Sequence, residues 1–386
     1  MMNPAVHTPS VMAESVGGIT RLGLQNFRNY AQFALDVHAP QIVLTGANGI
    51  GKTNILEAIS LLSPGKGLRH AKPHEWIYAQ ATSPQPAPSS NPFWGVSLTL
   101  EDGQRLATMS PDKPNARSRA IKHEGVALSS QAHLAEFLAV VWLTPQMDGL
   151  FLGDASLRRK FIDRLVFAVN PDHAVRLYRY EHALRQRNKL LKDKAPAALI
   201  RSFHPVLVSE GVAIAAARLE TTEQLNEALR EFVSPFPLPY LQWSGQVEQW
   251  LQDKDALSVE DLYRHHLDQM LAEDTIIGQT RLGVHRSDVM AFHRQKNIAA
   301  SQCSTGEQKA LLLSLVLAHA QWLKALHPER PLILLLDDLA AHLDPERRMN
   351  VCQWIAQLPV QAWFTGTEPD MFVALQGSAE FFHLPL

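Results

Sequence analysis

The chain has 386 residues, 46% of them hydrophobic, with 36 Lys or Arg against 38 Asp or Glu and a net charge of −2. That length suits one large α/β domain with a second lobe, and the near-neutral total gives no global sign of a polyanion binder. Two cysteines, Cys303 and Cys352, match no metal spacing and no disulfide framework, so a reduced, cytoplasmic setting is expected.

Met1 to Gly18 lacks the basic start and apolar core of a signal peptide and reads as a mobile tail. Residues 19–45 read as a β-hairpin leading into the short strand Gln41-Ile-Val-Leu-Thr45. Next comes Gly46-Ala47-Asn48-Gly49-Ile50-Gly51-Lys52-Thr53, which matches G-x-x-x-x-G-K-[ST] without a gap. Its glycines permit the tight turns that aim backbone amides inward, and the helix N-terminus behind them favours phosphate. In such a loop Lys52 reaches the β- and γ-phosphates of ATP and the Thr53 hydroxyl sits on Mg²⁺. From Asn54 onward the apolar residues recur at helical spacing.

Thr82 to Pro92 is a Pro- and Ser-rich insertion, and Trp94 to Leu128 alternates as antiparallel strands with turns at Asp102-Gly103 and Glu124-Gly125. Val140 to Thr144 is a further strand, and Gln146 follows it. Residues 151–273 then read as mainly helical, with two helices of thirty-odd residues making an arm on the order of 50 Å. The arm is basic, with 11 Lys or Arg against 5 acids from Asp154 to Lys194, whereas Glu220 to Asp261 has 2 against 9. Arg158, Arg159, Arg185, Arg187 and Lys189 are therefore candidates for DNA phosphates, a solvated helix face being the plainer reading. Arg158 and Arg159 have a second possible use, ordering the interface between lobes.

Ser304-Thr-Gly306-Glu-Gln308-Lys309 introduces a Leu-rich helix, which reads as a core helix because no unbroken apolar run reaches the ~18 residues of a bilayer span. Pro331 to Leu336 is the continuous apolar run of a central parallel strand. It ends on Asp337 and Asp338, where Asp337 would hold Mg²⁺ and Asp338 would polarise an attacking water. Ala340-Ala-His-Leu-Asp344 and Phe364-Thr365-Gly-Thr367 complete the set. The domain limits that follow are 1–18 for the tail, 19–150 and 274–386 for the ATPase lobe, and 151–273 for the helical lobe.

The order of these segments resembles the ATP-binding-cassette ATPases. In that superfamily Ser304, Gly306 and Gln308 would belong to a signature that closes over nucleotide held by the opposite subunit. Gln146 would stand in the Q-loop near Mg²⁺, Asp344 in the D-loop, and Thr365 at the switch position usually held by His.

Within the superfamily the chain resembles RecF. The resemblance rests on Leu24-Gln-Asn-Phe27-Arg28-Asn29-Tyr30, Thr144-Pro-Gln146-Met-Asp148, Gly153 to Asp163, Tyr180 to Leu191 and Gly283-Val-His285-Arg286-Ser-Asp288. Val284 and Ser287 depart from that family's Pro and Asp, and Lys66-Gly-Leu-Arg69 is a loose version of its S-x-R. His285 and Arg286 remain open to a nucleotide-side, DNA-side or structural role.

The resemblance implies an ABC-ATPase head: a P-loop, RecA-like α/β core with an antiparallel β subdomain, plus an inserted α-helical lobe. It implies a nucleotide site of residues 46–54 with Arg28 and Asn29, in which Lys52, Gln146 and Asp338 act on the phosphates. It further implies a weak ATPase that switches an ATP-dependent homodimer on duplex DNA beside single-stranded gaps. RecR, RecO and RecA would be its partners, in recombinational repair, replication-fork maintenance and the SOS response, with no membrane. The alternative is the ATPase subunit of a transporter, which calls for a His switch and a Glu after Asp337. A chromosome-tethering SMC protein is excluded by length, and a metabolic kinase would leave the signature without purpose.

Overall fold

The computed structural model describes residues 17–78, 93–111, 119–339 and 345–385. The Pro-rich insertion and the D-loop, including Asp344, lie outside them.

The first described elements are an antiparallel hairpin, β1 (Ile19–Phe27) and β2 (Tyr30–Asp36), followed by β3 (Gln41–Thr45) and α1 (Lys52–Ser60). The strands β4 (Gly95–Leu100), β5 (Arg105–Met109), β6 (Ala120–His123) and β7 (Val126–Ala127) extend the hairpin. Together they form a six-stranded antiparallel sheet in the order β2-β1-β4-β5-β6-β7. Val96, Leu98 and Leu100 of β4 turn inward and their neighbours outward, as a half-buried strand requires. A short α2 (Leu134–Phe137) precedes β8 (Ala139–Leu143).

The second lobe contains α3 (Ala155–Val169), α4 (Asp172–Lys192), α5 (Ala197–Arg201) and α6 (His204–Glu231). It continues through β9 (Pro239–Ser244), α7 (Gln246–Asp253), α8 (Ala256–Gln269) and α9 (Leu271–Ile277). After Gly278, in the left-handed region at φ 74°, come β10 (Asp288–His293) and β11 (Ile298–Ala299). The lobe is less purely helical than its sequence suggests, because β9 pairs with β10 in a three-stranded antiparallel sheet. That pairing crosses the limit placed at residue 273. The arm is also shorter than expected: α4 has 21 residues and α6 has 28, about 30 and 40 Å. A left-handed Lys194 and Pro196 stop α4 early.

The chain returns through α10 (Thr305–Leu326), β12 (Leu332–Leu336), α11 (Pro345–Ala356), β13 (Gln361–Gly366) and β14 (Ala379–His383). A parallel sheet in the order β14-β3-β13-β12-β8 is the centre of the first lobe. Alternate residues of these strands feed different cores. Ile42, Leu44, Ile333, Leu335 and Trp363 pack with α1 and the antiparallel sheet. Val43, Leu334, Leu336 and Phe364 pack with α10 and the start of the second lobe. Each fully buried Leu or Ile contributes about 1.5–3 kcal/mol relative to exposure, which explains strands without a polar face.

Ala197–Glu231 and Thr305–Leu326 do reach membrane-span length and hydropathy, although Ser314, His319 and Gln321 interrupt the apolar run in α10. The apolar stretch of α10 is two-thirds buried and packs on β8, β12 and α6, the environment of a helix hydrophobic all round.

Candidate nucleotide site

Three neighbouring strands of the parallel sheet build the site at their carboxyl ends. β3 delivers the phosphate loop, β12 delivers Asp337 and Asp338, and β13 between them carries Thr365. Gly46, Gly49 and Gly51 take φ of 142°, 83° and 114°. A Cβ on Gly51 would lie 2.4 Å from the Asn29 side chain, so glycine is required there by space as well as by torsion. Lys52 is buried, and its ammonium donates to the carbonyls of Gly46 at 2.7 Å and Ala47 at 3.0 Å. Ala47 and Asn48 are exposed at the tip of the loop, with Ile50 half-buried behind them.

Asp337 Oδ1 accepts from the Thr53 hydroxyl at 2.8 Å and from the Thr365 hydroxyl at 2.9 Å. Thr365 Oγ1 in turn accepts from the Asp338 amide at 2.9 Å. Burial pushes the Asp337 carboxyl above its usual range, with Asp338 adding to the push, while Thr53, Thr365 and Arg69 oppose it. A buried carboxylate beside a hydroxyl and a second carboxylate is the donor set of a hard cation, and Thr53 with Asp337 would hold Mg²⁺. Asp338 takes a left-handed φ of 49°, uncommon for a non-glycine residue. Gln146 is exposed in a single turn just past β8, whose Leu143 carbonyl accepts from the Asp337 amide at 3.0 Å.

The hairpin turn braces the loop from the side. Asn29 donates to the Ile50 carbonyl at 2.7 Å and accepts from Asn54 at 2.7 Å. Arg28, expected at the nucleotide, is corrected here to a bracing role. Its guanidinium is bidentate on Glu57 at 2.9 and 2.5 Å and also bonds the Glu75 carbonyl. Glu57 is fully buried on α1, with Arg69 at 3.4 Å and the Trp76 indole at 3.2 Å as further partners. Sequence reading missed Glu57, although a lone acid inside Ile55-Leu56-Glu57-Ala58-Ile59 signals a buried ion pair.

The signature residues divide. Ser304 caps α10, its hydroxyl and Glu307 bonding each other's backbone amide in a capping box. Lys296 pairs with Glu307 as well, and these bonds hold Glu307 down to about 2. Ser304, Thr305 and Gly306 are exposed, and among the described residues Gly306 has nothing nearer its would-be Cβ than Arg347 at 3.8 Å. Gln308 is different: it is buried, and within its own chain it donates to the Cys303 carbonyl at 2.9 Å, shaping the turn before α10. Lys309 reaches Asp148 at 2.8 Å, tying the first turn of this helix to the segment that follows Gln146.

The basic candidates divide too. Arg187 is corrected outright: it is fully buried, paired with Asp274 at 2.9 Å and bonded to Thr280, out of reach of DNA. Arg158 is bidentate on Asp288 and Arg159 donates to the Ser287 carbonyl, so both order the junction with the His285 loop. His285 is structural, held between the Tyr180 hydroxyl at 2.8 Å and the Thr280 carbonyl at 3.0 Å, with burial lowering its pKa to about 4. Val284 packs in the core of the second lobe and the Ser287 hydroxyl donates to Glu248 at 2.7 Å, which accounts for those two departures. Arg185, Lys189 and Arg286 are exposed.

A phosphate loop, a paired carboxylate and a serine-capped helix, arranged on a parallel sheet with an inserted lobe, define an ATPase head of the ATP-binding-cassette type. The AAA domain family matches residues 21–79. The solved structure of the recombination mediator protein RecF-ATPrS in the RecFOR pathway superposes with a TM-score of 0.79, at 22% identity over 96% of each chain. An Smc head domain from Pyrococcus furiosus gives 0.50 at 16% identity, over 96% of this chain and 94% of that one. These two establish the fold alone. The DNA replication and repair protein RecF of Rhizobium rhizogenes is 40% identical over 367 residues, 94% of this chain and 96% of the relative. That of Rhizobium meliloti is 38% identical over 366 residues, with the same coverage of both. The chain belongs to the RecF family of DNA replication and repair proteins.

Proposed function

We propose that this chain is a cytoplasmic, ATP-gated DNA-binding protein of recombinational repair that works as a homodimer. ATP with Mg²⁺ binds the loop from Gly46 to Asn54, and Ser304 and Gly306 of a second copy close over it. The closed dimer grips duplex DNA beside a single-stranded gap, and slow hydrolysis assisted by Asp338 and Gln146 releases it. RecR and RecO take part in the same step to load RecA, and the SOS response follows from that loading.

The observation that carries the reading is the exposed turn at Ser304–Gly306. It bonds within its own turn, and no described hydrogen bond joins it to the phosphate loop of the same chain. Its helix N-terminus favours negative charge, and in its first turn Glu307 supplies one. The test compares duplex affinity in ATP and in ADP. ATP should bind tighter by at least tenfold, and equal affinity in the two nucleotides overturns the gating.

A further inference from the structure

Most arginines of the second lobe face acids: Arg158 with Asp288, Arg176 and Arg179 with Glu210, Arg185 with Glu181, Arg187 with Asp274. One group of cations at the edge of the parallel sheet does not. Lys160 and Arg164 lie four residues apart on α3 and so share a helix face, and the loop after α1, which carries Lys66 and His70, reaches that face, its Ser63 and Pro64 lining one recess with Arg164. The side chains of Lys66, Lys160 and His70 are exposed, and no side-chain hydrogen bond or ion pair holds any of them among the described residues.

Arg164 is the fixed point of the group. Its guanidinium lies 4.4 Å over the Trp142 ring and 5.0 Å from Phe161, and its acceptors are distant: the Trp142 carbonyl at 3.4 Å and the Met147 sulfur at 3.8 Å. It lines a small recess with Ser63, Pro64, Phe167 and Arg330, and no carboxylate lines that recess. Arg330 bonds the Ala135 and Ala168 carbonyls but leaves its Nε unbonded, with Glu329 beside it. Holding such a cluster together without counter-charge costs self-repulsion that a bound polyanion removes.

We propose that Lys66, Lys160 and Arg164 form a contact site for the phosphates of duplex DNA, where the loop after α1 meets α3 at the junction of the two lobes rather than farther out along α4. This rests on the DNA-binding reading above and assigns the residues that perform it. Arg164, stacked on Trp142, is a planar donor, while the two long lysine side chains follow the backbone without reading sequence. The same loop carries Arg69, which bonds Asn54 at 2.7 Å beside Thr53, so the site is joined to the nucleotide pocket by a short path.

The test uses the full chain with ATP and a duplex, measuring Kd over a range of salt concentrations. The Lys66→Gln/Lys160→Gln double variant should lower the slope of log Kd against log salt by about 2. The Lys66→Arg/Lys160→Arg variant should keep the slope. Melting temperature and ATP affinity should stay unchanged in both, since neither lysine is bonded to the fold. A wild-type slope in the Gln variant overturns the site, even when the wild type binds DNA well. Wild-type protein that binds no duplex with ATP overturns the DNA-binding reading itself, and this site with it.

Discussion

Asp337 is held in a state that disfavours its own charge. Burial and the neighbouring Asp338 raise its pKa above the usual carboxylate range, and two hydroxyls offset this only in part. A raised carboxylate pKa means the fold prefers the protonated form. Ionisation therefore costs stability as pH rises from the unfolded value near 3.8 through the higher folded one. We expect Asp337→Asn to raise the melting temperature of the nucleotide-free protein at neutral pH, with the gain vanishing in acid. The same variant should lose the extra stabilisation that Mg²⁺ adds to ATP, and an unchanged Mg²⁺ response would remove Asp337 from the metal site. Lys52 has a different resting state, folded onto two loop carbonyls that it must leave for phosphate. Lys52→Met should abolish ATP binding in a filter assay, whereas Lys52→Arg should bind ATP and hydrolyse it poorly.

Among the elements, α3, α4 and α6 are held together within the second lobe by one buried carboxylate. Burial alone would raise the Asp163 pKa, but Arg218 with two 2.8 Å bonds and His173 at 2.9 Å bring it down to about 2. Arg218 also donates to the Val284 carbonyl and lies 3.9 Å from Glu248, so the pair reaches the His285 loop. Removing one partner of a buried pair costs roughly 3–5 kcal/mol, because the other charge is stranded. Arg218→Met should show that loss in urea denaturation at pH 7. A depressed pKa contributes stability above 3.8 that is lost as pH falls through about 2, so the gap to wild type should narrow on acidification. A gap independent of pH would mean that Arg218 acts through packing on Trp243, over which it lies at 5.0 Å.

For the protein as an assembly, the nucleotide site has its loop, carboxylates and Thr365 on one chain, while among the described residues no hydrogen bond joins the exposed cap of α10 to that loop. In the proposed dimer, two copies arranged head to tail would each bring that cap to the other's loop. Sedimentation should find a dimer with ATP and a monomer with ADP. Ser304→Arg, placing a bulky cation on the cap, should leave the monomer folded and abolish the ATP-dependent dimer. A variant that dimerises normally removes the closing step. The bridge from Lys309 to Asp148 gives such closure a route to the second lobe, since Asp148 lies just ahead of α3.

Local chemistry was readable before any coordinates. Gly46 to Thr53 declares itself because torsion and spacing are set within eight residues, and β12 because its apolar run ends on two acids. The antiparallel strands from Trp94 onward follow from period-two alternation and glycine turns. What the linear order withheld is what each charge faces. Arg28, Arg187 and Gln308 carry the same functional groups as exposed residues of their type, and only the approach of Glu57, Asp274 and Cys303 gives them internal roles. The converse holds for Lys66, which reads as an ordinary loop lysine until its loop packs against the Arg164 face of α3. Torsional requirements are properties of a segment, whereas burial and pairing belong to contacts between residues far apart in the chain, and those exist only once it has folded.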